Sequence, residues 1–158
     1  MAFDFPNSPT NGQTYTPAGG PTYTYDSAGT KWTVASIAAP IPITTGVYVP
    51  THALGSNAAA ATMYNTLYTR LSDRVIVSGH ADVDPTAGGA VTTSIGISLP
   101  VASNLTGTMD LSGVMTAPGF TETGTIIGDI TNDQALLTFQ SATANNHQIA
   151  FVFQYKVQ

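Results

Sequence analysis

Histidine is the side chain best placed to move a proton near neutral pH, and the chain has three: His52, His80 and His147. Only His80 stands in a pattern that chemistry could use. The run His80-Ala81-Asp82-Val83-Asp84 spaces an imidazole and two carboxylates at i, i+2 and i+4. On a strand those positions project from one face. They could hold a hard cation, or a base with its orienting carboxylate. An ordinary alternating solvent face gives the same pattern, so His80, Asp82 and Asp84 stand as weak metal candidates beside an expectation of no metal and no cofactor. A metal site would also need an acid from elsewhere, such as Glu122, the sole glutamate.

Other chemistry has less to work with. No serine sits in a G-x-S-x-G elbow, and a Ser-His-Asp site needs three residues that converge in space. Glycosidase chemistry needs two carboxyl groups at a set separation, and nothing marks out a pair among eight aspartates and one glutamate. There is no phosphate-cradling glycine loop. With no cysteine, thiol catalysis, disulfides and cysteine-based metal sites are excluded. The expectation is a protein that is not an enzyme, with a β-sandwich hydrolase using His80 and Asp82 as the least favoured reading.

The elements that position these residues must be built from an unusual composition. Of 158 residues, 8 % are charged and the net charge is −5. An average soluble domain is about a quarter charged. The only cations are Lys31, Arg70, Arg74 and Lys156, which leaves no basic stripe for nucleic acid. Hydrophobic residues reach 42 %, too many for charge-driven disorder. No run approaches the ~20 apolar residues of a membrane span. The start, MAFDFPNSPTNGQ, has no basic segment followed by an apolar one, so synthesis in a cytoplasm without a secretion signal is expected. Hydroxyls, amides or another subunit must cover the surface that Lys and Glu usually cover.

Three zones follow along the chain. Residues 1–34 are dense in Pro, Gly, Thr and aromatics. Tyr23 and Tyr25 alternate with small polar residues, Asp26-Ser27-Ala28-Gly29 reads as a turn in which Gly29 can take a positive φ, and the alternation resumes around Trp32. A lone hairpin is marginal, so Phe3, Phe5, Pro6, Tyr15, Tyr23, Tyr25 and Trp32 either form a small core or dock this arm on a partner. Residues 35–54 contain Pro40, Pro42 and Pro50 and read as an extended, semi-stiff linker. Residues 55–158 read as a knob domain. Ala58–Ala61 could begin a helix on propensity, while the residues after them favour strand. From Arg74 the period is 2: Val75, Val77, Gly79, Ala81 and Val83 share a face, as later do Val91, Thr93, Ile95, Ile97 and Leu99. Further strands are expected over 107–115, 121–130 and 135–140. The clearest comes last, with Ile149, Phe151, Phe153, Tyr155 and Val157 on one side. Many short strands with turn signals every 8–12 residues predict an all-β chain: an antiparallel β-sandwich or jelly roll with an extended N-terminal arm.

Two stretches resemble proteins of tailed-bacteriophage virions. FDFPNSPTNGQTYT with GGPTYTYDSAGTKWTV is similar to a short virion module, matched at Phe3, Phe5, Pro6, Pro9, Thr10, Gly12, Gln13, Tyr23, Tyr25 and Trp32. YTRLSDRVIVSGHADVDPT with SIGISLPVASN resembles β-rich domains of phage fibre and head-decoration proteins, at Tyr68-Thr69-Arg70, Val75 to Gly79 and Leu99-Pro100-Val101-Ala102. The resemblance implies a virion structural protein, usually a homotrimer, made in the bacterial host cytoplasm, and it carries no catalytic residue over. A knob with an aromatic arm and no shaft repeat suits a capsid decoration or cement protein whose partners are itself and the major capsid protein or other virion proteins. The competing expectation is a short tail or head fibre whose tip binds host glycans, through loops near Ala117-Pro118-Gly119-Phe120 and Asn145-Asn146-His147. Neither nucleic acid nor membrane is expected as a partner.

Overall fold

The computed structural model describes residues 5–18, 20–36 and 43–158. The chain divides into two compact units, Met1–Ile41 and Pro42–Gln158. No α-helix occurs among the described residues, and every sheet pairing is antiparallel. The all-β expectation is met.

The N-terminal unit is a three-stranded sheet in the order β1-β2-β3, with β1 Thr14–Tyr15, β2 Thr22–Asp26 and β3 Lys31–Ser36. The predicted hairpin is β2 and β3. Its turn differs in one respect: Thr30, not Gly29, takes the left-handed conformation, at φ 49°. A Cβ at Gly29 would meet the ends of the Asp26 and Lys31 side chains, both of which can swing away. The motif before β1 is a turn in its own right. Gly12 sits at φ 79°, the Gln13 amide donates to the Thr10 carbonyl, and the Gln13 side-chain oxygen accepts from the Thr10 amide.

The C-terminal unit is a ten-stranded sheet. Its strands are β4 Ile43–Tyr48, β5 His52–Leu54, β6 Ala58–Met63, β7 Thr66–Leu71, β8 Arg74–Pro85, β9 Val91–Ser98, β10 Leu111–Thr116, β11 Thr123–Asp129, β12 Gln134–Ser141 and β13 His147–Lys156. They run in the order β4-β7-β8-β13-β10-β11-β12-β9-β5, and β6 pairs with the upper half of β8. The sheet curls on itself around a core built from alternate residues: Val75, Val77, Ala81 and Val83 of β8, Ile95 and Ile97 of β9, Leu137 and Phe139 of β12, and Ile149, Phe151, Phe153 and Tyr155 of β13. Two glycines make room for the rings. A Cβ at Gly79 would strike Thr66 and Phe151, and one at Gly113 would strike Phe153.

Three expectations need correction. The zone 35–54 is not a linker: Ala35 and Ser36 finish β3, Ile43–Tyr48 pairs with β7, and His52–Leu54 pairs with β9. Residues 37–42, with Pro40 and Pro42, lie outside the described residues. Pro50 is compatible with the sheet because it falls between two strands. Ala58–Ala61 is strand, because pairing with β8 outweighs alanine's helix preference. The strand expected from Gly107 begins only at Leu111, since Thr108–Asp110 forms a 3-10 turn. There the Asp110 carboxylate accepts from the Thr106 and Gly107 amides.

Candidate functional site

The five described aromatics of the expected docking set form one cluster, with Phe5 and Trp32 each meeting three of the others. Tyr15, Tyr23, Tyr25 and Trp32 lie on one face of the three-stranded sheet, as the register Tyr15↔Tyr23 and Tyr25↔Trp32 requires. Phe5 caps them. It stacks on Trp32 at 5.2 Å between centroids and meets Tyr15 and Tyr23 edge-on, at 5.5 and 5.0 Å. Tyr25 leans on Trp32 at 5.3 Å. Such contacts add about 0.5–1.5 kcal/mol each beyond area burial. All five rings and Pro6 remain only half-buried, so the cluster is at once a small core and an aromatic surface. Phe3 lies outside the described residues.

The His80, Asp82 and Asp84 row is placed where alternation put it, on the outer face of β8. Each member has its own partner. His80 stacks on Tyr64 at 4.6 Å, with ring planes 12° apart. The Tyr64 hydroxyl donates to Asp82 Oδ2 at 2.8 Å, and that bond raises the Tyr64 pKa. Asp84 accepts from the Asn146 side-chain amide at 2.9 Å. No cluster of three metal-ligating side chains forms among the described residues, so Glu122 does not complete a site at His80.

Glu122 joins the other histidine instead. His147 is fully buried at the start of β13, and Glu122 is 7 % exposed in the loop before β11. His147 Nε2 lies 3.1 Å from Glu122 Oε1, and Nδ1 lies 2.6 Å from the Asn145 carbonyl oxygen. Both neighbours can accept, so both ring nitrogens donate only in the imidazolium form. Phe120 stacks on the ring at 4.4 Å. Glu122 Oε1 also accepts from the Ala142 amide at 3.0 Å, while Oε2 is buried without a hydrogen-bond partner. Burial pushes the Glu122 carboxyl up, but the Ala142 and Glu122 amides and the His147 ring outweigh it and hold it below the ordinary range.

The pair belongs to a polar plug at this end of the curled sheet. The two Nδ2 protons of Asn57 are shared among three acceptors within reach, the Ala87 carbonyl, Thr93 Oγ1 and Ser141 Oγ, and Asn57 Oδ1 accepts from the Ala87 amide. The bonds of the Glu122–His147 pair tie together the loops before β11 and β13. Its chemistry is that of a clamp. Sequence reading missed it because Glu122 and His147 are 25 positions apart and meet only through the β11, β12 and β13 arrangement. The one signal was the parity of His147, which falls on the same face as Ile149, Phe151 and Phe153.

A pH dependence follows. Asp133 is also held low: burial raises its pKa, but the Leu105, Ser103 and Asn104 amides lower it further. For both carboxyls the folded-state pKa is depressed. Their stabilisation is therefore complete above the unfolded values of about 3.9–4.3 and is lost as pH falls through the folded ones. Urea midpoints should hold steady from about pH 7 to 5 and drop below about pH 4. The drop should shrink in Asp133→Asn, which has already lost that charge. An equal drop in both proteins would contradict this assignment.

No protein-family model, no curated protein and no solved structure matches the chain. Function must therefore be argued from the residues and their arrangement.

Proposed function

We propose that this chain is a structural protein of a tailed-bacteriophage virion, made in the bacterial host cytoplasm: a capsid decoration or cement protein that docks through its N-terminal unit and self-associates, as a trimer, through its β-sheet unit. The observation that carries this reading is the aromatic cluster. A unit of three short strands presents five half-buried rings on one face, more aromatic surface than so small a sheet needs for itself. Aromatic residues in such settings are typical anchors of protein interfaces. The motif residues of the virion resemblance have structural work that fits a preformed module: Gly12 and Gln13 shape its first turn, and Tyr23, Tyr25 and Trp32 supply its ring face. The scarcity of charge suits a protein whose surface is covered by other subunits.

Copy number per virion tests the role. Quantitative mass spectrometry of purified particles should find hundreds of copies, and removing residues 1–41 should leave a folded β-sheet unit that no longer joins capsids. Tens of copies or fewer, together with binding on a glycan array, would favour the fibre-tip reading. Truncated protein that decorates capsids at full occupancy would remove the docking role of the arm.

A further inference from the structure

The turn that opens the N-terminal unit holds a reactive pair of residues. Asn11 is the one asparagine of the chain that is followed by glycine, and no aspartate is. In such a pair the main-chain nitrogen of the glycine can attack the side-chain carbonyl carbon of the asparagine. Glycine permits this because no side chain shields its nitrogen and its backbone turns freely. Asn11 and Gly12 are both exposed, so water reaches them.

The fold holds the two reacting groups on separate partners. The Gly12 amide donates to the Tyr25 carbonyl at 2.9 Å. The Asn11 side-chain oxygen accepts from the Ser27 amide at 3.0 Å. The Tyr25 amide returns a bond to the Gln13 carbonyl at 2.9 Å, beside the ladder pairs Thr14↔Thr24 and Tyr15↔Tyr23. Within the turn the Gln13 amide donates to the Thr10 carbonyl, and the Thr10 amide to the Gln13 side chain. For the two groups to react, the Asn11 side chain must leave Ser27 and fold back on its own main chain, and the Gly12 nitrogen must leave Tyr25. Tyr25 lies near the end of β2 and Ser27 just beyond it. Opening the edge between this turn and β2 therefore frees both groups at once.

We infer that Asn11 is a site of spontaneous deamidation that the folded N-terminal unit holds closed. When the unit opens, the Gly12 nitrogen bonds to Asn11 Cγ and the Cγ–Nδ2 bond breaks. Nδ2 leaves as ammonia with the proton of the Gly12 amide, and a five-membered imide remains. Water then opens the imide. Addition at Cγ gives aspartate. Addition at the main-chain carbonyl carbon gives isoaspartate, in which the chain runs through the former side chain. No co-reactant other than water is needed.

The two products differ in what they allow. Aspartate keeps an oxygen for the Ser27 amide, so the turn re-forms. Isoaspartate inserts a methylene into the main chain between Thr10 and Gly12, inside the bonds that join Thr10 to Gln13 and Gly12 to Tyr25. The turn then fails to close in register and the unit stays open. Asn11 and Gly12 thus make the N-terminal unit a one-way recorder of its own unfolding. The inference goes beyond the virion reading and does not rest on it.

The test incubates the full chain at mildly alkaline pH and follows residue 11 by peptide mass mapping, which separates asparagine, aspartate and isoaspartate. Wild type in native buffer, wild type in urea and Trp32→Ala are compared. Loss of Asn11 should run at least about tenfold faster in urea and in Trp32→Ala than in the native protein, because the reaction waits on opening. The urea arm stands whether or not Trp32→Ala opens the unit. Equal rates for native and urea-unfolded protein would overturn the shielding. Wild type is then aged in native buffer until asparagine and isoaspartate forms are both present. Limited proteolysis should cut the isoaspartate form within residues 5–36 and spare the asparagine form, and freshly purified Asn11→Asp should resist like wild type. An isoaspartate form as resistant as wild type, or Asn11→Asp as sensitive as the isoaspartate form, would overturn the one-way loss. A low copy number on virions would sink the decoration role and leave these rates untouched.

Discussion

His147→Ala is expected to cost the C-terminal unit about 3 kcal/mol, because it leaves a buried carboxylate short of a hydrogen-bond partner and opens a cavity beneath Phe120. The cost comes from what is left behind. Glu122 is nearly inaccessible, its Oε2 already has no hydrogen-bond partner, and without the ring Oε1 keeps only the Ala142 amide. The loss of the Phe120 stack and of the bond to the Asn145 carbonyl adds to it. Urea unfolding followed by circular dichroism gives the number. The mechanism has a sharper check, because the penalty is that of an abandoned carboxylate. Glu122→Leu/His147→Leu should therefore be more stable than His147→Ala alone. A double variant that is less stable than the single one, or a single variant within about 1 kcal/mol of wild type, would contradict the clamp.

Trp32→Ala should unfold the N-terminal unit and leave the C-terminal unit intact. Trp32 touches Phe5, Tyr15 and Tyr25, so one truncation removes the centre of the cluster. Burying an aromatic side chain fully is worth about 3–5 kcal/mol, and a half-buried one roughly half of that. A sheet of two, five and six residues has little more stability than this to lose. Limited proteolysis of the full chain should show new cuts within residues 5–36 and an unchanged protected fragment beyond residue 43. Trp32→Phe should keep the wild-type pattern. Under the docking role proposed above, binding to capsids should fall with the fold of the unit. An unchanged cleavage pattern in Trp32→Ala would mean that the unit is held together by something other than its rings.

The regular part of this architecture could be read directly from the residues. In β8 and β13 the alternation is strict, one face must be buried, and a slip of one residue would expose the whole apolar set, so pattern and register agree. The aromatic hairpin was equally plain, because turn and alternation coincide. The zone 35–54 misled for a local reason: its prolines argue against helix and against the middle of a strand, yet they fall outside the pairs that Ile43–Tyr48 and His52–Leu54 make with distant strands. The alanines at 58–61 misled because propensity is weak beside a long partner such as β8. The Glu122–His147 clamp could not be read because it is set by strand order.

The position of β13 has a consequence for how the chain is made. Residues 147–156 are the last strand in sequence, yet they lie in the middle of the sheet, hydrogen-bonded to β8 on one side and to β10 on the other. Until they emerge from the ribosome, β8 and β10 each wait with an open edge, and the core lacks Phe151, Phe153 and Tyr155. Most contacts in the chain are long-range, a topology that folds slowly. The sheet thus closes only after synthesis has passed residue 156. Before that point the nascent chain displays unpaired edges at β8 and β10 that invite aggregation, whereas the open edges of the finished sheet are those of β4 and β5.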